Sequence, residues 1–298
     1  MGPAASPRHW GGVILALAVA ISFAANSTFA GLAYTGGADA MSVFAARSTA
    51  AYVVLLVYLV ATGRPRKLPT RQRNKALLLG VVMAWASYAL LSAMERMPVA
   101  LCVITLYTYP LLVASFGWWS GRERFRARFA VALAVAFAGL VLALDLSGNA
   151  PNPGGLALAA SGAIGVATLL LANERVRAPA DAQAFTLYML ATCMILALII
   201  SAAEGEFALP QTRAAWVGFI ATPLCYSFSI ICMFVAVSMI GSLRTSVVMN
   251  LEPVSSVLLG YLLLSQTLDG SQLLGVALVI AAIVFIEGGY AAGARVNP

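Results

Sequence analysis

Residues 11–24, GGVILALAVAISFA, and residues 154–167, GGLALAASGAIGVA, are one segment written twice, 143 positions apart. Gly11, Gly12, Leu15, Ala16, Ala20, Ile21 and Ala24 fall on Gly154, Gly155, Leu158, Ala159, Ala163, Ile164 and Ala167, so 7 of 14 positions are identical. The same offset carries Trp85 onto Phe228, Pro110 onto Pro253, Gly117 onto Gly260 and Ala138 onto Ala281. A background rich in Ala, Gly and Leu gives chance matches, but it gives no reason for one offset to hold from end to end. The chain reads as a duplication, with expected units 1–148 and 149–298.

With 61% hydrophobic and 10% charged residues among 298, the composition is that of an integral membrane protein. A soluble domain carries charge on about a quarter of its residues. Apolar runs of about 20 residues, the length a helix needs to cross the hydrocarbon, sit near 10–34, 40–62, 74–94, 98–119 and 128–146 in the first half. In the second they sit near 154–173, 182–203, 214–238, 242–264 and 271–291. The period-2 alternation of an outer-membrane barrel is absent. The expected fold is therefore all-α, with ten transmembrane helices. Five spans per half is an odd number, so the second half enters the membrane upside down relative to the first. Inverted repeats around a central cavity are characteristic of secondary transporters. The first run could be taken for a signal peptide, since Arg8 precedes it, but it is too long and it recurs internally after residue 154.

The net charge of +7 could suggest nucleic acid as a partner, yet the placement of the basic residues points to the lipid bilayer. With both termini in the cytosol, 15 of the 18 Lys and Arg lie on cytosolic segments, including Arg64, Arg66, Lys67, Arg71, Arg73 and Lys75 between the second and third spans. Arg96 and Arg213 lie outside and Arg47 lies within a span. This bias sets the orientation. The four cysteines, Cys102, Cys193, Cys225 and Cys232, are scattered in spans and read as packing residues. His9 is alone at a terminus expected to be disordered. With no metal-binding or nucleophilic motif, the chain is not expected to be an enzyme or to need a cofactor or metal.

Polar side chains inside spans are expensive, and their helical spacing picks out faces. Ser22, Asn26 and Phe29 share one on the first span, Ser161, Gly165, Thr168 and Ala172 one on the sixth. Trp85, Tyr88 and Ser92 share one on the third, and Thr222, Tyr226, Ser229 and Met233 one on the eighth. Faces of Ser, Thr and Gly also serve close helix packing. Trp85, Tyr88 and Tyr226 lie away from the interfaces where aromatic belts form, which favours an aromatic-lined cavity.

The fourth and ninth spans each carry a proline near the midpoint, in Tyr107-Thr108-Tyr109-Pro110 and Asn250-Leu251-Glu252-Pro253. A mid-helix proline removes a hydrogen bond and clashes with the carbonyl four residues back, here those of Leu106 and Met249. Each helix is expected to kink and to leave a polar carbonyl seeking a partner. Only two formal charges lie deep in the spans, Arg47 and Glu252. Each needs a partner or a wet cavity. They could pair with each other or hold a zwitterionic substrate. Alternatively, Glu252 could be protonated and bond the freed backbone, and Arg47 could snorkel outward.

These residues resemble the drug/metabolite transporter superfamily, specifically its EamA-type ten-helix exporters. The likeness is carried by Ser22-Phe23-Ala24-Ala25-Asn26, by Arg47, and by the stretch from Pro98 through Pro110 to Gly121-Arg122-Glu123-Arg124. Asn250-Leu251-Glu252-Pro253-Val254, Gly260-Tyr261 and Gln272-Leu273-Leu274-Gly275 complete it. The family's glycine-glutamate turn is replaced by Ser265-Gln266-Thr267 in the second half. The resemblance implies a basket of ten helices around a cavity formed mainly by spans 1, 3, 4, 6, 8 and 9. Within the family the chain looks most like the YddG group of aromatic amino acid exporters of bacterial inner membranes. That implies export of aromatic and other neutral amino acids, and of organic cations, from the cytoplasm. The expected substrate-contacting residues are Ser22, Asn26, Arg47, Trp85, Tyr88, Tyr107, Tyr109, Pro110, Thr168, Tyr226, Ser229, Asn250, Glu252 and Pro253.

Other readings make different demands on the same residues. A phosphorylated-metabolite exchanger of the superfamily would need several cations in the cavity, where Arg47 stands alone. A proton-coupled multidrug or cation exporter would use Glu252. An intramembrane enzyme lacks assembled catalytic groups, and a receptor without transport leaves the paired midplane prolines unexplained.

Overall fold

The computed structural model describes residues 7–94, 96, 99–121, 127–143, 152–173, 179–204, 208–264 and 270–293. Pro98, the Arg122-Glu123-Arg124 turn, Ser265-Gln266-Thr267, the inter-repeat segment 145–151 and the basic residues Arg126, Arg175, Arg177 and Arg295 lie outside them.

Twelve helices form ten spans among the described residues. They are α1 (Pro7–Thr35), α2 (Ala40–Ala61), α3 (Thr70–Met94), α4 (Val99–Leu106), α5 (Tyr109–Trp119), α6 (Ala127–Ala143), α7 (Pro153–Asn173), α8 (Pro179–Glu204), α9 (Arg213–Ile240), α10 (Ser242–Val248), α11 (Leu251–Leu264) and α12 (Gly270–Gly293). Seven spans, with α4 and α5 counted as one, are long and apolar enough to cross a bilayer unaided, and α6 and α12 contain shorter apolar stretches. His9, expected in a disordered terminus, falls in the first turn of α1. Pro7 opens that helix, where its missing N–H removes no bond.

Large apolar side chains face outward along the bundle, among them Leu78, Val131, Leu262 and Trp119. In water such a surface would be an association patch; in lipid it is the expected exterior. Backbone hydrogen bonds stay within each helix, as the hydrocarbon requires.

The two halves interlock instead of standing apart. Under the repeat, α1, α2, α3, α4–α5 and α6 correspond to α7, α8, α9, α10–α11 and α12. The extensive contact of α1 with α9 has its mate in α7 with α3, and α2 with α9 has its mate in α8 with α3. Likewise α1 with α11 mirrors α7 with α5, while α2–α8 and α6–α12 each join a helix to its own counterpart and α5–α10 joins the two broken spans. The most extensive contacts between the halves thus come in pairs matched by the repeat.

Small residues set the closest approaches. A Cβ on Gly139 of α6 would lie 2.8 Å from the Gly275 carbonyl and 3.0 Å from the Val279 nitrogen of α12. These are backbone atoms that cannot rotate away. Gly139→Leu should therefore separate α6 from α12 and destabilise by about 1–3 kcal/mol, read as a lowered unfolding midpoint in detergent. An unchanged midpoint would show that this seam can relax.

Asp39 stitches the α1–α2 turn to the segment before α9. As N-cap of α2 it accepts from the Ser42 amide (2.7 Å) and hydroxyl (2.6 Å). It also accepts from the Ala208 amide (2.7 Å), and its own amide donates to the Ala208 carbonyl (3.3 Å). The Gln211 amide reaches the Gly36 carbonyl at 2.9 Å alongside. Partial burial pushes the Asp39 carboxyl up, but the bonds from Ser42 and Ala208 outweigh it and hold it below its ordinary 3.8. A carboxyl depressed on folding contributes stability that is present above its unfolded value and lost as pH falls through the folded one. Asp39→Asn should therefore lower the unfolding midpoint at neutral pH, with the difference from wild type vanishing below about pH 3. Asp39→Ala, which also loses the cap, should cost about 1–2 kcal/mol. A gap that persists undiminished at low pH would assign the effect to geometry instead of charge.

Candidate functional site

Pro110 and Pro253 break their spans outright where a kink is expected. α4 stops at Leu106 and α5 begins at Tyr109, with Pro110 in its first turn; α10 stops at Val248 and α11 begins at Leu251, with Pro253 in its first turn. The freed groups find local partners. The Thr108 hydroxyl donates to the Thr105 carbonyl (2.7 Å), and the Asn250 amide donates to the Val247 carbonyl (3.0 Å). The Met249 carbonyl, expected to seek a partner, accepts from the Glu252 amide at 3.0 Å. The unwound residues Tyr107 and Met249 are thereby placed at the wall of a central cavity.

That cavity holds about 180 Å³. At about 30 Å³ per water it has room for roughly six waters, less than the 300 Å³ or more of a drug-sized site. Asn26, Arg47, Tyr107, Tyr109, Tyr226 and Glu252 line it, drawn from α1, α2, the α4–α5 break, α9 and α11. Its apolar wall comes from Phe23, Met83, Leu90, Leu106, Leu169 and Met233.

The two charges sit in this one chamber without touching each other. Arg47 is partly buried and forms no ion pair with Glu252. Its guanidinium lies 4.8 Å from the centre of the Tyr226 ring and 5.6 Å from that of Phe44, and its buried Nε has no hydrogen-bond partner. Stacking on two rings offsets part of the desolvation of a cation, but it satisfies none of the N–H donors. The rings are held in turn. Phe23 meets Tyr226 edge-on at 6.1 Å, and Ser87 lies beside the Tyr226 hydroxyl. The Glu252 carboxyl faces the Tyr107 hydroxyl, and Tyr107 stands 5.5 Å from the Tyr109 ring. The chamber is bipolar, with a cation framed by Tyr226 and Phe44 and a carboxylate framed by Tyr107 and Tyr109.

The remaining expected residues divide into supports and outliers. The Ser22 hydroxyl donates to the Cys225 carbonyl across the α1–α9 seam (3.1 Å), and Ser229 donates to that carbonyl from within α9 (2.8 Å). With its amide nitrogen turned toward α9, Asn26 reaches the Thr222 carbonyl at 3.3 Å. Asn250, Pro110 and Pro253 are buried at the breaks. Trp85, Tyr88 and Thr168 do not line the cavity. Trp85 is 47% exposed on the outer surface, where its repeat mate Phe228 is 45% exposed. Tyr88 packs partly buried against the core, its ring 6.1 Å from that of Trp85. Thr168 is exposed, its hydroxyl bonded to the Ile164 carbonyl of its own helix. The cavity face of α3 is Met83, Ala86, Ser87 and Leu90. Spacing marks a face of a helix but does not say which neighbour it meets. Among the described residues no three His, Cys, Asp or Glu cluster as a metal site.

Known proteins share this architecture. The uncharacterized inner membrane transporter YedA of Escherichia coli (strain K12) is 28% identical over 249 residues, covering 80% of this chain and 79% of that protein. The proteins of the same description from strain CFT073 and from O157:H7 match equally. A protein of known crystal structure superposes with a TM-score of 0.79 at 18% identity, over 92% of this chain and 96% of the other, which shows the fold. The sequence profile of the EamA-like transporter family matches twice, at residues 10–144 and again at 153–288. The chain is a multi-span membrane transporter and belongs to the EamA-like transporter family.

Proposed function

We propose that this transporter moves neutral amino acids with aromatic or large apolar side chains out of a bacterial cytoplasm by alternating access. One observation carries the reading: a small central chamber holds a guanidinium and a carboxylate that do not neutralise each other, between apolar walls. A zwitterion supplies both missing charges. Its carboxylate bonds Arg47, which offers a planar fork suited to that group, its ammonium faces Glu252, and its side chain lies against Phe23, Met83 and Leu169. Tyr226 and Tyr107 fix the two charged groups in place, and Asn26 adds a polar edge.

The paired breaks at Pro110 and Pro253 supply two hinges related by the repeat, a geometry suited to rocking one half against the other around a fixed site. The working units are residues 1–148 and 149–298, inverted in the inner membrane with both termini cytoplasmic; the 15-to-2 distribution of basic residues supports that orientation. A phosphorylated substrate would carry at least two negative charges to a cavity with one cation.

Reconstitution into liposomes decides the substrate class. Labelled phenylalanine and tryptophan should be taken up and should exchange in counterflow, while a sugar phosphate is not. A lipophilic cation should enter slowly, because Arg47 repels it. Uptake of the sugar phosphate with no amino acid transport would overturn the proposal.

A further inference from the structure

We propose that the cleft between α2 and α8, at its junction with the α2–α3 loop, is a binding site for an anionic phospholipid. Two grooves flank the Arg64 side chain. One, about 450 Å³, is lined by Arg64, Arg66 and Lys67 at its mouth and by Leu56, Leu187 and Ala191 deeper down. The other, about 350 Å³, runs between α2 and α9 along Val54, Leu55, Phe228 and Ile231. Arg64 is fixed between them: its guanidinium donates to the Gln183 side chain at 2.7 Å and lies 5.3 Å from the Tyr58 ring centre. Tyr52 and Tyr188 line the basic groove below it.

This arrangement matches the two chemistries of a phospholipid. Three cations converge at the end of a spanning helix, where headgroups lie, and no carboxylate lines either groove among the described residues. The apolar floors continue into the outward-facing Val54, Val57 and Phe228, which places an acyl chain against α2. Basic pockets between spanning helices hold anionic headgroups in this way, and Arg64, with one terminal nitrogen held by Gln183, has further N–H groups to offer a phosphate. A free phosphate would use the rim and leave the apolar floors bare. The inference rests on the loop joining two spanning helices, so it stands apart from any assignment of substrate.

The test uses the full-length protein in neutral detergent micelles, following the thermal unfolding midpoint during titration with phosphatidylglycerol, phosphatidylcholine or inorganic phosphate. Phosphatidylglycerol should raise the midpoint saturably, with little response to the other two. At the strength usual for one basic residue near an anionic headgroup, Arg66→Gln/Lys67→Gln should weaken apparent phosphatidylglycerol affinity by about thirtyfold, and Arg66→Gln alone by about fivefold. Both side chains are exposed, so the midpoint without lipid should not move. Arg71→Gln/Arg73→Gln removes equal charge from exposed positions outside the grooves and should leave affinity within twofold of wild type. An equal response to phosphatidylcholine, an equal response to inorganic phosphate, or equal weakening by the two double variants would each overturn the proposal.

Discussion

Arg47→Gln is expected to lower the initial rate of phenylalanine uptake into liposomes by about 100-fold. Losing one member of a desolvated charge pair costs about 2–5 kcal/mol, roughly 30-fold to several thousand-fold, and the partner proposed for Arg47 is the substrate carboxylate. Arg47 suits this role because the protein leaves it unfinished. Its guanidinium is stacked over Tyr226 and Phe44, yet its buried Nε has no partner and no carboxylate pairs with it. For the same reason the substitution orphans no buried anion, so folding should survive with only the loss of ring stacking, about 1 kcal/mol. Arg47→Lys keeps the charge without the planar fork and should fall between wild type and Gln. The assignment is sharpened by amine and acid analogues. Slow uptake of phenethylamine, which has no carboxylate, should be unaffected or improved in Arg47→Gln, while that of 3-phenylpropanoate is lost. Wild-type phenylalanine transport by a folded Arg47→Gln protein would remove Arg47 from the site.

The sequence announces these two charges for an energetic reason. A formal charge in a membrane span needs an arrangement to tolerate it, so Arg47 and Glu252 stand out against an apolar background. The prolines are equally legible, because a missing N–H has a local consequence wherever it occurs. The duplication is legible because helices that pack against their own counterparts, such as α6 against α12 and α2 against α8, must keep complementary surfaces in both halves. The lining was less so. Trp85 and Ser87 are two residues apart on α3, and only packing decides that Ser87 faces Tyr226 while Trp85 faces outward. Tryptophan attracts notice and serine does not, although in an apolar bundle the serine lies beside the hydroxyl of the ring that frames Arg47. Phe44 carries no signal in the sequence for a related reason: a phenylalanine in a membrane span is ordinary, and only the fold sets an arginine beside it. The repeat offset points the same way. Trp85 and Phe228 are mates and both lie on the exterior, whereas Arg47 matches Leu190 and Glu252 matches Tyr109. The mated pair lies on the exterior, and the two charges that line the chamber have no mates.

Glu252→Gln provides the complementary result, with phenylalanine uptake expected to fall by about 30-fold or more. Glutamine nearly matches the shape of glutamate and still offers an oxygen to the Tyr107 hydroxyl, so the substitution removes charge while keeping the packing beside the α10–α11 break. What is lost is the attraction for a substrate ammonium. Uptake of 3-phenylpropanoate, which has none, should then be unchanged or improved, and the ratio of acid to amino acid transport should rise in step with the loss. Tyr107→Phe tests the support beneath this contact. It removes the hydroxyl that faces Glu252, where a hydrogen bond to a charged group is worth about 1.5–3 kcal/mol, and should slow phenylalanine uptake by about tenfold or more. A Tyr107 that acts only by orienting the carboxylate should lose its effect in the Glu252→Gln background, whereas a direct contact with substrate should persist there. Equal losses of phenylalanine and 3-phenylpropanoate in Glu252→Gln would instead assign the carboxylate to the helix break, since a distorted hinge slows every substrate alike. Opposite selectivities in Arg47→Gln and Glu252→Gln have no such structural explanation, because only a ligand with two unlike charges distinguishes the two ends of the chamber.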